Sequence, residues 1–215
     1  MRSPWSVIAG LVLLLAGVAL VCTRPVPRSV QPAAVVRPSR HAAPPEDVAA
    51  LNAAGPRQVP ESLASLVLPD DRPAVLMFLK ADCGCSEEFA RMFNAVGPHL
   101  AARASCLAVI EAADGDARSF LETTGLTTPH IVQPAGGLAA MWGVTKAGCV
   151  AVVRPDGTVE AIWPGISRQG FRDVAGRLGE PDLLPPELLS IFPGAATAGC
   201  PLQSASLVSR PGASP

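Results

Sequence analysis

The sequence carries little charge and almost no net charge. Only 16% of its 215 residues are charged, and the formal net charge is -1 with a pI near 6.3. A nucleic-acid-binding domain ordinarily presents a strongly basic surface, so the charge gives no indication of nucleic acid as a partner. Because 49% of the residues are hydrophobic, the chain can bury a core, and its length suits one ordinary domain with appendages.

The six cysteines lack the dense, regular spacing of a small disulfide-stapled protein. Cys83 and Cys85 form the only closely spaced pair. Neither a second such pair nor an H-x-H cluster is present to complete a four-ligand zinc site. We therefore expect no structural zinc and no cofactor.

One uncharged run stands near the N-terminus, at residues 7–22 (VIAGLVLLLAGVALVC). Its length suits a signal anchor or a signal peptide, and Trp5 is placed to lie at the membrane interface. Because the residues before Thr23 lack a clean small-x-small cleavage signal, we interpret residues 1–22 as a single hydrophobic transmembrane helix. A cleaved leader is the alternative.

The flanking charges leave the orientation in the membrane open. Only Arg2 precedes the run, whereas arginines at 24, 28, 37 and 40 follow it, which by itself predicts a cytoplasmic domain. The leader-like placement and the cysteine pair favour the other side. We therefore expect a single-pass protein of the cell membrane with an extracytoplasmic domain.

Composition divides the rest of the chain into three parts. Residues 23–60 are rich in Pro, Ala and Arg, which indicates an extended linker. Residues 181–215 are rich in Pro and small residues, which predicts a disordered tail. The folded domain is therefore predicted over 61–180.

The start of this domain predicts a buried strand followed directly by a helix. Ala74 to Leu79 (AVLMFL) is a short apolar run of the kind found in strands buried on both faces. Helical spacing then relates Phe89, Met92, Phe93, Val96 and Leu100. We expect Cys83 and Cys85 to lie on the turn between the strand and this helix.

Later segments continue the alternation of strands and helices. We predict strands at 106–110 and 130–132, a helix beginning near 117–121, a hairpin of 150–153 with 158–163, and a last helix at 171–178. This order predicts an α/β sandwich with a mixed central sheet flanked by helices.

Two segments resemble a known family. FLKADCGCSEEFARMF, residues 78–93, resembles the strand, cysteine turn and helix of thioredoxin-like proteins, especially the redoxin branch with its membrane-anchored thiol:disulfide oxidoreductases. The segment from GVT at 143–145 to PDG at 155–157 is similar to the second half of that domain. The resemblance covers roughly residues 60–180 and implies a thioredoxin-like sandwich that exchanges thiols and disulfides.

The resemblance also implies a role for each cysteine of the pair. Cys83 would attack a disulfide of a partner protein, and Cys85 would resolve the mixed disulfide. The positive end of the helix dipole lowers the pKa of a thiol at a helix N-terminus, whereas Asp82, Glu87 and Glu88 oppose this.

The sequence departs from the family at two points. The spacer between the cysteines is the single residue Gly84, and the proline that helps to dock substrate in the family aligns with Gly148. Gly148 therefore marks the predicted substrate-docking loop. Its neighbour Cys149 is a candidate third thiol near Cys83, or else a small buried residue at the start of a strand.

Three functions remain open at this stage. The first is thiol:disulfide exchange or electron relay through Cys83 and Cys85, acting on protein thiols near a membrane. The second is a Cu(I)-binding module with Cys83, Cys85 and Cys149 as ligands. The third is a thioredoxin-like interaction domain without catalysis, so whether the chain is an enzyme stays undecided.

Overall fold

The computed structural model describes residues 52, 57–113 and 115–202. The predicted membrane helix at 1–22 and most of the predicted linker at 23–60 lie outside these residues. Across the described part of the chain, no helix combines the length and the apolar character needed to cross a membrane.

A five-stranded mixed sheet forms the centre of the domain. Its parallel strands are β1 (Ala74–Lys80), β2 (Ser105–Glu111) and β3 (His130–Gln133), and its antiparallel strands are β4 (Val150–Val153) and β5 (Val159–Trp163). The strand order is β3-β2-β1-β4-β5. The predicted mixed sheet is thus confirmed, and β1 lies at its middle.

The β1 strand is central because its side chains are apolar on both faces. Val75, Met77 and Leu79 belong to a first core cluster, whereas Leu76 and Phe78 belong to a second. Successive side chains of a strand point to opposite sides, so each cluster covers one face of the sheet. Six of the seven residues of β1 are buried, as expected of a strand with neighbours on both edges.

Helices cover the sheet. They are α1 (Glu61–Val67), α2 (Gly84–Leu100), α3 (Asp116–Thr124), α4 (Leu138–Met141), α5 (Arg168–Arg177) and α6 (Pro186–Leu189). The apolar side of α2 lies in the first cluster. Sequence patterns predicted α2, α3 and α5; the other three have four to seven residues, too few for a helical period to be recognised.

The prediction of a disordered tail over 181–215 is wrong for residues 181–202. Leu184, Leu189 and Phe192 are buried in the first cluster, and the ring of Phe192 stacks on that of Phe171 with 4.2 Å between centroids. The proline-rich composition hid these apolar anchors, which contact residues distant in sequence. The folded domain therefore extends beyond 180; residues 203–215 lie outside the described part.

A candidate active site at the start of helix α2

The predicted strand-to-helix turn is present, and Cys83 lies at the end of it, where the helix begins. β1 ends at Lys80, and Cys83 is the N-cap of α2 with extended backbone angles (φ -129°, ψ 113°). The Cys83 carbonyl accepts the first helical hydrogen bond, from Ser86 N at 2.9 Å. The unpaired N–H groups and the positive dipole end of a 17-residue helix therefore lie beside the Cys83 sulfur.

Ser86 holds this turn against the strand. Its fully buried side chain accepts a hydrogen bond through Oγ from the backbone N–H of Lys80, at 2.9 Å. Ser86 itself lies in the first turn of α2, and Cys83 is the N-cap.

Cys83 is buried and hydrogen-bonded through its sulfur. Its side chain is only 2% exposed, and its Sγ accepts a hydrogen bond from the backbone N–H of Cys200 at 3.4 Å. Burial by itself raises the pKa of the Cys83 thiol, but hydrogen bonds from the Cys200 thiol and N–H and from Ser86 outweigh it, so the pKa lies below its usual value. The thiolate form of Cys83 is therefore favoured.

The two neighbouring thiols are shifted in the opposite direction. The pKa of Cys85 is raised by burial, by the charge of Cys83 and its hydrogen bond, and by Glu88. The pKa of Cys200 is raised to about 11, first by its hydrogen bond to Cys83 and then by burial. Of these three thiols, Cys83 is therefore the one that loses its proton first as the pH rises.

The nearby acids act less directly than the sequence suggested. Asp82 pairs with Lys80 at 3.4 Å, and Glu87 pairs with Arg91 at 3.4 Å, one turn along the helix. Each of these carboxylates therefore has a cationic neighbour, and neither is among the causes of the Cys83 pKa shift.

Cys200 reaches the site on a segment that pairs with the loop after β5 and with the loop before β4. Thr197 exchanges two backbone hydrogen bonds with Ile166, at 2.8 and 2.9 Å. Further along, Ala147 N donates to Cys200 O at 2.9 Å, and Gly199 N donates to Ala147 O at 2.8 Å. We call residues 197–202 the C-terminal segment; it lays Cys200 across the start of α2.

Sequence reasoning missed Cys200. It lies 117 residues from Cys83, within a stretch of small residues and proline that predicted disorder. The local sequence hinted at burial only through the apolar Leu202, two residues after Cys200; Leu202 is buried in the second cluster.

Gly148 lies where a side chain could not fit. Its φ is +83°, and a Cβ on it would stand 2.5 Å from Cε2 of Phe89 on helix α2. Its N–H donates to Phe78 O at 2.7 Å. The predicted docking loop therefore packs tightly on α2, and its neighbour Ala147 pairs with the C-terminal segment.

Cys149 is a small buried residue directly before strand β4, which is one of the two roles that the sequence suggested for it. It is 1% exposed and belongs to the second core cluster, and its carbonyl accepts a hydrogen bond from Phe78 N at 2.9 Å. The thiol of Cys200 hydrogen-bonds Cys83. Cys106 is half-buried, and its partial burial raises the pKa of its thiol to about 12.

The alternative copper site is not assembled. No group of three or more His, Cys, Asp or Glu side chains within the described residues is arranged to hold a metal ion. The predicted ligand set of Cys83, Cys85 and Cys149 is thus not brought together.

The five-stranded mixed sheet with flanking helices fits the thioredoxin-like α/β fold. The predicted fold class is confirmed for the described residues, and the predicted N-terminal hydrophobic helix lies outside them. The cysteine turn follows the central strand, as the resemblance of residues 78–93 implied.

Solved structures with this kind of fold are similar to the chain over about half its length. A secreted Mycobacterium tuberculosis disulfide oxidoreductase homologous to E. coli DsbE has 22% identity and a TM-score of 0.41, over 51% of this chain and 81% of that protein. MTB dsbF has 23% identity and a TM-score of 0.43, over 53% and 84%. The exposed lipoprotein thioredoxin Etrx1 of Streptococcus pneumoniae has 17% identity and a TM-score of 0.44, over 54% and 88%.

No protein-family model and no curated protein sequence matches the chain.

The hydroxyl of Ser86 provides a first test of the site. Ser86→Ala removes hydrogen bonds to Cys83 and to the strand end, so we expect the pKa of Cys83 to rise and the free energy of unfolding to fall by about 1–2 kcal/mol. Alkylation of Cys83 followed against pH measures the first effect, and its midpoint should move to higher pH. Ser190→Ala, which removes an exposed hydroxyl, is the matched control and should leave the midpoint in place.

Proposed function

We propose that the protein carries out thiol:disulfide exchange with other proteins, with Cys83 as the attacking thiol. The observation that carries the proposal is the Cys83 sulfur itself, which is buried at a helix N-terminus and accepts hydrogen bonds that favour its thiolate. Such surroundings make a cysteine nucleophilic near neutral pH.

The first step is balanced within the site and the substrate. The Cys83 thiolate attacks one sulfur of a partner's disulfide, forming a mixed disulfide as the partner's S–S bond breaks. The other partner sulfur leaves as a thiolate and takes up a proton. Because Cys85 and Cys200 are protonated at neutral pH, Cys83 is the thiol best suited to attack.

The Cys83-Gly84-Cys85 turn is part of the proposal. The resemblance assigns Cys85 as the thiol that resolves the mixed disulfide, and its hydrogen bond to Cys83 supports a contact between the two sulfurs. Nothing lies within 4 Å of the point where a Cβ on Gly84 would be, so the turn has space to adjust. Cys85 and Cys200 are both candidates for the resolving step.

The place of action is part of the same proposal. The apolar run at 7–22 supports a tether that holds the domain at the cell membrane, on the extracytoplasmic side. In that compartment protein disulfides persist and supply substrates for such exchange.

The proposal is tested with the reduced full chain in detergent and a peptide–glutathione mixed disulfide as substrate. We expect release of the peptide thiol at least about tenfold faster than with the same concentration of free cysteine at pH 7, because the Cys83 pKa is lowered. Cys106→Ala is the matched control and should react as the unmodified chain does, since Cys106 stays protonated. A rate equal to that of free cysteine would show an inert site.

A further inference from the structure

Buried side chains and backbone hydrogen bonds hold the C-terminal segment in the site. Ala198 and Leu202 are buried, and Leu202 N donates to Thr145 O at 2.9 Å. Together with the bonds of Thr197, Gly199 and Cys200, this pairing holds the backbone at both sides of Cys200. Extended pairing of this type is how a peptide is added to an exposed backbone edge.

The close approach of this segment depends on glycine. A Cβ on Gly199 would stand 3.1 Å from Cβ of Ala147 and 3.1 Å from Cε2 of Phe89. The absence of a side chain at Gly199 thus lets the neighbouring Cys200 come down onto the first turn of α2. Cys200 N then donates to Cys83 Sγ at 3.4 Å.

We propose that Cys200 is the resolving cysteine of this site and forms a disulfide with Cys83. This inference rests on the proposed exchange activity and names the residue that completes it. The C-terminal segment covers the buried Cys83 sulfur, so it moves aside when a partner's disulfide enters. Its return brings Cys200 against the mixed disulfide and displaces the partner.

The chemistry balances between two thiols and one disulfide. After Cys83 has formed the mixed disulfide, the Cys200 thiol loses its proton and its sulfur attacks Cys83 Sγ. The Cys83–Cys200 bond forms, the bond to the partner breaks, and the partner leaves as a thiolate that takes up a proton. The partner's disulfide has gained two electrons, and Cys83 with Cys200 has lost two.

The state of Cys83 controls the reactivity of Cys200. The largest cause of the raised pKa of Cys200 is its hydrogen bond to Cys83, and the charge of Cys83 adds to it. Both causes disappear once Cys83 is bound in a mixed disulfide, so the pKa of Cys200 then falls. Cys200 therefore becomes more reactive at the stage when resolution is needed.

Cys85 is less suited to this step because of its position. A disulfide requires Cα atoms about 4.4–6.8 Å apart and a near-perpendicular dihedral angle, and a one-residue spacer closes a small, strained ring. Cys85 is also fixed in the first turn of α2. Cys200 comes from a separate segment, so a bond to Cys83 closes no small ring.

The experiment compares two variants that each remove one sulfur beside Cys83. Reduced full chain, Cys85→Ser and Cys200→Ser are each treated with one equivalent of oxidised glutathione, quenched by acid and alkylation, and digested with trypsin. We expect Cys85→Ser to join the peptide of Cys83 to that of Cys200, and Cys200→Ser to retain at least about tenfold more glutathione on Cys83. The unmodified chain should show the same Cys83–Cys200 disulfide, and this result does not depend on whether a variant folds.

Two results would overturn the inference, and only the second would also overturn the proposed exchange activity. If Cys85→Ser retains glutathione on Cys83 while Cys200→Ser resolves as fast as the unmodified chain, Cys85 resolves and the proposed exchange stands. If Cys83 neither retains glutathione nor forms a disulfide with another cysteine in any of the three proteins, the proposed exchange fails together with the inference.

Discussion

Replacing Cys83 by serine is expected to lower the rate of thiol–disulfide exchange by at least about 1,000-fold, because a serine hydroxyl is not ionised near neutral pH and does not attack disulfides. The substitution preserves the size of the side chain closely. A hydroxyl at this position can still accept the hydrogen bond from the Cys200 N–H. The loss therefore reports on the sulfur and not on the shape of the turn.

Measurement of this effect needs a stability readout beside the exchange rate. The release of peptide thiol from a mixed disulfide gives the rate, and urea unfolding gives the stability, which should change by no more than about 1 kcal/mol. Cys106→Ser is the control at a half-buried cysteine outside the site and should keep the full rate, since its thiol is protonated at neutral pH. A residual rate within tenfold of the unmodified chain for Cys83→Ser would assign the attack to a different thiol.

Truncating Phe192 to alanine is expected to lower the free energy of unfolding by about 3–5 kcal/mol. Phe192 is 2% exposed, and its ring stacks on Phe171 of helix α5 at 4.2 Å between centroids. Its removal leaves a cavity in the first core cluster and also ends the ring stacking. In a disordered tail the same substitution would have almost no effect.

Urea unfolding followed by circular dichroism measures this loss. Leu66→Ala is the matched control, because the Leu66 side chain is 53% exposed and should contribute no more than about 0.5 kcal/mol. Equal unfolding midpoints for the Phe192→Ala and Leu66→Ala proteins would contradict the placement of residues 181–202 in the core.

The elements with strong periodic or continuous patterns were predictable. The unbroken apolar run at 74–79 is found as the central strand β1, and the helical spacing after Phe89 is found as α2. Both patterns are local, since burial on two faces or along one stripe determines the residue type at every position. The short helices α4 and α6 carry no such period, because four residues make barely one turn.

The position of the cysteine turn was also predictable, but its surroundings were not. A cysteine between a buried strand and an amphipathic helix must lie at a helix start, and this predicted the place of Cys83. The sequence could not show that Ser86 bonds back to the end of β1, or that Gly148 leaves room for the ring of Phe89. Both contacts depend on how the elements pack.

Cys200 shows most clearly what the sequence determines and what only the tertiary structure determines. The sequence by itself determined a mixed α/β sandwich with Cys83 and Cys85 at the start of a helix, because apolar periodicity and turn residues act over a few neighbouring positions. Only the tertiary structure showed that the thiol of Cys200 hydrogen-bonds Cys83. Cys149 enters the second core cluster, and backbone pairing with Ala147 carries Cys200 back across 117 residues to Cys83. Such pairing joins segments through backbone groups that every residue carries, so residue types along the chain do not reveal it.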